Sequence, residues 1–279
     1  MNTVFVFVPG SNGNSFHFSP LLRELTLLGH RALAVDLPGH GFDATFPAAY
    51  QAPQDPAALA AAPSGLAGAK HADDVAHVLD VVRRAGELGP VVLVGHSRGG
   101  MTVTAVANAA PELLHRVVYV SAWCCVDLDP AGYMAGPEYA SSALNELGAS
   151  LLAGNPAELG ALRMNWRTAD PAVLATLKTA VLADGTDAEF LAAVNTLEPD
   201  ESLDAGDARV DPDAWARLPH TYVRLTGDRS LPVELQDRFI READALLPDN
   251  PFDVRGLDTS HMGFLVRPRP FAELLAGLS

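Results

Sequence analysis

A chain of 279 residues, 48% of them hydrophobic, is long enough to bury one large core carrying an inserted subdomain and too apolar to stay disordered. Its formal net charge of −15 repels polyanions, which disfavours nucleic acid and anionic membrane surfaces as partners. The acidic residues are scattered through helical and loop segments, the pattern of a solvated acidic surface rather than of a cation site.

Met1-Asn2-Thr3 lacks a basic leader, and the apolar run that follows is too short to span a bilayer, so it reads as a first strand, Thr3–Val8. Further β-branched or apolar runs bounded by Gly, Pro or Asp predict strands at Arg31–Val35, Val91–Gly95, Val117–Ser121, Thr221–Thr226 and Phe252–Arg255. They are nearly continuous in apolar character, as strands of a parallel sheet buried on both faces are. Between them lie helical patterns. Ser19-Pro20 offers an N-cap for a helix through Leu21, Leu22, Leu25 and Leu28, ended near Gly29, and His71–Arg84 repeats apolar residues at 75, 78, 79 and 82. Two stretches break the alternation. Phe46–Gly68, with prolines at 47, 53, 56 and 63, reads as a surface insertion; 127–219 holds helical patterns, one opened by Asp170-Pro171, and no convincing strand. The division is a core of 1–126 and 220–279 interrupted by a helical cap of 127–219. Cys124 and Cys125 are sequence neighbours, poorly placed for a disulfide, so a reducing cytoplasm is the expected compartment.

The chemistry is concentrated in Gly95-His96-Ser97-Arg98-Gly99, a G-x-S-x-G run between a buried strand and a helical segment. Its glycines allow a sharp turn that lifts the Ser97 hydroxyl above a helix N-terminus, the setting of a nucleophile; outside that context the run is only a glycine-rich turn. A serine needs a base, and the base an orienting carboxylate. Asp228 follows the Thr221–Thr226 strand and His261 follows the Phe252–Arg255 strand, both on loops at strand C-terminal ends, with Asp258 as the rival acid. His96 reads as a packing residue of the turn. No pair among the other histidines has zinc-ligand spacing, and neither metal nor cofactor is implied. For a tetrahedral oxyanion, the backbone N–H of Arg98 and that of Ser11, with Gly10 in support, are the candidate donors, since the Pro9–Gly13 loop follows the first strand. The Arg98 side chain is assigned to a structural ion pair.

These residues resemble the α/β-hydrolase superfamily and, within it, the esterase and hydroxynitrile lyase family that includes plant methyl-ester hydrolases. The resemblance rests on Phe5–Gly10, Leu21–Leu25, Gly29-His30-Arg31, Asp36-Leu37-Pro38-Gly39-His40-Gly41, the turn at Ser97, and Leu231-Pro232 before His261; it fades in the cap. It implies an α/β-hydrolase fold, a mostly parallel central sheet flanked by helices with an inserted helical cap. It also implies the roles of Ser97, His261, Asp228, Ser11 and Arg98 given above. The lyases place lysine directly after the triad histidine and threonine in the first oxyanion loop, whereas this chain has Met262 and Gly10, a pair that points to hydrolysis. Pro9, where the family often has histidine, and the long 46–68 stretch depart from the pattern.

The expectation is a serine esterase or lactonase acting on a small apolar ester or lactone through an acyl-enzyme. Met262, Tyr133, Met134, Trp166 and Phe190 are nominated for its pocket, although each of the last four also fits the core of the cap. A lyase using His261 as a base and a ligand receptor on the same fold stand as alternatives, and a homodimer is the one assembly left open.

Overall fold

The computed structural model describes residues 3–207 and 209–279. All six predicted strands form, as β1 (Val4–Val8), β2 (Arg31–Ala34), β3 (Val91–Ser97), β4 (Arg116–Ala122), β7 (His220–Leu225) and β8 (Asp253–Leu257), in the order β2-β1-β3-β4-β7-β8. Every pairing in this sheet is parallel, with Phe5 set beside both Ala32 and Val92. Alternation along each strand divides the core. Phe5, Phe7, Val92, Val94, Val118 and Val223 meet α1 (Ser19–Leu27) and the last helix, α12 (Pro268–Ala276). Val4, Val6, Val8, Leu93, Val117 and Tyr222 meet α3 (His71–Gly86), α4 (Gly99–Ala109) and α11 (Val233–Leu246). Covering both faces explains the continuous apolar runs, each fully buried Val, Leu or Phe contributing about 1.5–3 kcal/mol.

Helix boundaries follow local chemistry. Asp73 and Asp74 sit in the first turn of α3 and Arg83 and Arg84 in its last, each complementing the helix dipole. Ser19, expected as the cap of α1, is instead its first residue, because the preceding turn (Ser15–Phe18), capped by the Asn14 side chain, runs straight into it.

The chain between β4 and β7 carries α5 (Pro130–Met134), α6 (Leu144–Leu151), α7 (Pro156–Leu159), α8 (Pro171–Val181), α9 (Asp187–Val194) and α10 (Pro212–Trp215). Asp170 caps α8 as its sequence predicts, accepting from the Ala172 and Val173 N–H groups. The expectation of no strand here is wrong: β5 (Ala161–Arg163) and β6 (Asp200–Ser202) form an antiparallel ribbon. Arg163 and Asp200, opposite one another in this ribbon, are joined by an ion pair at 2.6 and 2.7 Å, where an ordinary strand would carry an apolar pair.

The 46–68 stretch is likewise more than a surface insertion. Arg163 is fully buried because its guanidinium donates to the carbonyls of Leu59, Ala62 and Pro63, closing the end of α2 (Pro56–Ala61), while Tyr50 and Leu59 are buried beside it. Among the described residues no helix is long and apolar enough to cross a membrane. A cavity opens at the C-terminal ends of β1, β3, β7 and β8, beneath the segment inserted between β4 and β7 (123–219), the insertion from here on.

Candidate active site

Ser97 ends β3 at φ +52°, a left-handed conformation that costs a non-glycine residue about 1–3 kcal/mol and marks the sharp turn into α4. The β3–β4 register shifts between His96 and Ser97, so the strand releases the serine at the sheet edge. A side chain at Gly99 would stand 2.6 Å from the carbonyl oxygens of both Val8 and Pro9, so the helix start can pack against β1 only as glycine. Ser97 and His261 line the same cavity.

Asp228 orients that imidazole. Its Oδ2 lies 2.5 Å from His261 Nδ1 and accepts the Ser121 hydroxyl at 2.5 Å; its Oδ1 accepts the N–H groups of Ser230 and Leu231 at 2.7 and 2.9 Å. The carboxylate is buried and fully engaged, an arrangement that fixes one tautomer of His261, with Nδ1 bound to Asp228. Asp258, the rival acid, is exposed and accepts from Thr226 Oγ1. Ser121, at φ +40°, was invisible as a site residue in the sequence, because only the β4–β7 pairing brings it to Asp228.

His96 packs against His261, ring centroids 4.5 Å apart, and its Nε2–H donates to the His261 carbonyl at 3.0 Å. Complete burial holds its pKa well below the ordinary value, as does the neighbouring His261, so it serves as a neutral support. From the insertion, Asp184 accepts the hydroxyls of Thr259 (2.6 Å) and Ser260, fixing the loop that carries His261.

The loop after β1 lies directly against Ser97: a Cβ at Gly10 would stand 2.7 Å from Ser97 Cβ. Ser11 and Arg98 line the cavity with Gly10, and no protein acceptor among the described residues takes either backbone N–H. The Arg98 side chain turns to the insertion, donating to the Asp204 carbonyl at 2.8 Å and pairing with Glu201 at 3.8 Å, the structural ion pair its position suggested. The acidic residues around it are not a solvated face. Glu198, Asp200 and Glu201 are buried, and Glu198 binds His40 Nδ1 at 2.7 Å and the Gly41 N–H at 2.8 Å.

The cavity measures about 290 Å³ and is mostly apolar, with Phe18, Met101, Trp123, Tyr139 and Leu231 among its walls. Of the nominated pocket residues, Met262, Met134 and Trp166 line it. Tyr133 and Phe190 do not. Tyr133 is buried against Phe239 and donates to Glu242, while its hydroxyl accepts the Val126 and Asp127 N–H groups; Phe190 lies in the insertion's own core.

The fold is shared with solved structures. A pyrethroid hydrolase, PytH, is 19% identical over 99% of this chain and 97% of its own, with a TM-score of 0.72. An extracellular α/β-hydrolase from a Paenibacillus species gives 17%, 99%, 98% and 0.70 in the same order, and polyneuridine aldehyde esterase gives 20%, 100%, 99% and 0.67. A search of the curated proteins returns no match. The model of the Alpha/beta hydrolase family matches residues 5–274, nearly the whole of the fold and all of the site, and the chain belongs to that family.

Proposed function

We propose that the chain is a serine-dependent carboxylesterase or lactonase that cleaves an ester-like bond of a small, neutral, apolar substrate through an acyl-enzyme. The observation that carries this reading is the buried Asp228–His261 pair ending beside Ser97 at the floor of an apolar cavity. His261 Nε2 takes the Ser97 proton as Oγ attacks the carbonyl carbon, and Asp228 holds Nδ1–H throughout. The carbonyl oxygen gains the negative charge and meets the N–H groups of Ser11 and Arg98. Collapse expels the alcohol, protonated by His261; water then repeats the sequence and releases the acid and Ser97.

The substrate class follows from what lines the cavity. The Arg98 guanidinium is committed to Asp204 and Glu201, and among the described residues no other arginine and no lysine lines the wall to hold an anionic substrate. The segment between β4 and β7 acts as the cap over this cavity. Ester cleavage also suits the names of two structural neighbours, a pyrethroid hydrolase and an esterase. The test is a panel of short-chain aryl esters and lactones assayed with wild type and Ser97→Ala: turnover by the former, with a loss on the order of a thousandfold or more in the latter, is expected. A folded Ser97→Ala variant as active as wild type would overturn the proposal.

A further inference from the structure

Both backbone groups offered to the oxyanion belong to segments that a single carboxylate of the insertion holds. Glu201, on β6, has its side chain buried. Its Oε2 accepts the Asn12 N–H at 2.8 Å, one peptide beyond Ser11, and its Oε1 lies 3.8 Å from the Arg98 guanidinium and 3.7 Å from His40 Nε2. Asn12 sits at φ +55°, a left-handed turn that sets the direction of the peptides before it. The rest of Asn12 is gripped by the same stretch of chain: Nδ2 donates to the Glu198 carbonyl at 2.9 Å, and the Asn12 carbonyl accepts the Glu198 N–H at 2.9 Å.

We propose that Glu201 is a positioning residue for the oxyanion hole, holding the Ser11 and Arg98 backbone donors at the spacing the transition state requires. The inference rests on the acyl-transfer reading of Ser97. The charge balance supports it. Burial by itself would raise the pKa of Glu201, but the charges of Arg98 and His40 and the bonds from His40 and the Asn12 N–H overcome that and hold it at about 2. Burial would lower that of His40, yet its bonds to Glu198 and Glu201 push it to about 10. Within the bonded network two carboxylates and two cations therefore neutralise one another behind the loop, and Asp74, which faces the same group from α3, is raised to about 6 by burial and by Glu201, so it adds less negative charge near the hole than an ordinary aspartate.

An interaction that acts through the oxyanion changes kcat and leaves ground-state binding alone. Removing one such donor outright costs about 10²–10³ in kcat, so mispositioning two should cost roughly ten- to a hundredfold. The experiment compares wild type, Glu201→Gln, Glu201→Ala, Asn12→Gly and Ser97→Ala on a p-nitrophenyl ester, and measures affinity for an aryl boronic acid, whose adduct with serine is tetrahedral and anionic. Asp200→Asn is the control, since it alters the same ribbon at Arg163 but removes no bond to the loop. Expected are a fall in kcat with KM within about threefold, a parallel fall in boronate affinity, Gln milder than Ala, and kcat retained in Asp200→Asn. Asn12→Gly keeps the N–H and accepts the left-handed turn but loses the Nδ2 grip, so it tests the same lever should the Glu201 variants not fold. Wild-type kcat in Glu201→Ala or Asn12→Gly, or a loss in Asp200→Asn equal to theirs at matched melting temperature, would overturn the inference alone. Full activity in Ser97→Ala would instead overturn the reading beneath it.

Discussion

Replacing Gly10 by alanine puts a methyl carbon 2.7 Å from Ser97 Cβ and 3.3 Å from both Ser97 Oγ and the His96 carbonyl oxygen. Carbon atoms rest about 3.5–4.0 Å apart, so the loop or the nucleophile must retreat by about 1 Å. Ser97 has little room to yield, because it is already at φ +52° and its carbonyl accepts the Trp123 N–H at 3.0 Å. The displacement therefore falls on the Gly10–Ser11 peptide. Oxyanion donors work at 2.7–3.1 Å, and a 1 Å error in such a site costs about 10²-fold. Gly10→Ala is expected to lose roughly a hundredfold in kcat on an aryl ester, to change KM little and to keep the wild-type far-ultraviolet circular dichroism. Wild-type kcat in a folded Gly10→Ala variant would refute the placement of this loop. The same clash bears on the exchange of Gly10 for the threonine of lyases: a β-branched side chain there must displace the nucleophile before it can contact any substrate.

Asp228→Asn sets an amide where Oδ2 now receives both Ser121 Oγ–H and His261 Nδ1–H, which favours the wrong tautomer, so kcat should fall about 10³–10⁴-fold while Asp258→Asn stays within about twofold. Crippled Asp258→Asn beside active Asp228→Asn would reassign the acid. The buried network should also shape stability against pH. Glu201, held at about 2 against an ordinary 4.5, stabilises the fold above pH 4.5 and loses that contribution as pH falls toward 2; His40, raised to about 10 from 6.5, contributes fully below 6.5 and loses it as pH rises toward 10. The melting-temperature advantage of wild type over Glu201→Gln should therefore peak between pH 4.5 and 6.5 and correspond to about 3 kcal/mol, and a difference independent of pH from 3 to 10 would contradict the charge assignment. Cyanide release from cyanohydrins should be negligible, because Met262 follows His261 where a cation would be needed; efficient release beside poor turnover of every ester and lactone would overturn the hydrolase assignment.

The sheet was legible because burial on both faces writes itself into β1, β3 and β4 as unbroken apolar runs, and the turn at Ser97 because it is local in sequence. Asp228 and His261 could be read from their place after strands. The ribbon β5–β6 could not. Asp-Glu-Ser has none of the apolar pattern of a strand, and its pairing depends on an arginine 37 residues away. For the same reason Glu198 and Glu201 looked like solvated charges: His40, Arg98 and Asn12, which make their burial tolerable, come from three other segments of the chain. The direction of Tyr133 and Phe190 was equally hidden. An aromatic residue on an amphipathic helix faces either the cavity or the helix's own neighbours, and here Glu242 and the insertion's core decide.

These long-range contacts explain how a precise site can be assembled from loops. The core sheet positions only Ser97; each of the other three loops of the proposed site is bound to the insertion. Glu198 and Glu201 hold the loop of Ser11, Asp184 holds that of His261, and Ser230, next to the acid's own loop, donates to the Ala180 carbonyl at 2.9 Å while its carbonyl accepts the Ser142 hydroxyl at 2.8 Å. Met262 extends the same tie, its N–H bonded to the Val181 carbonyl at 2.8 Å and its side chain in the insertion's core. Swinging the whole insertion away would break all three attachments and leave buried carboxylates without their partners, at several kcal/mol.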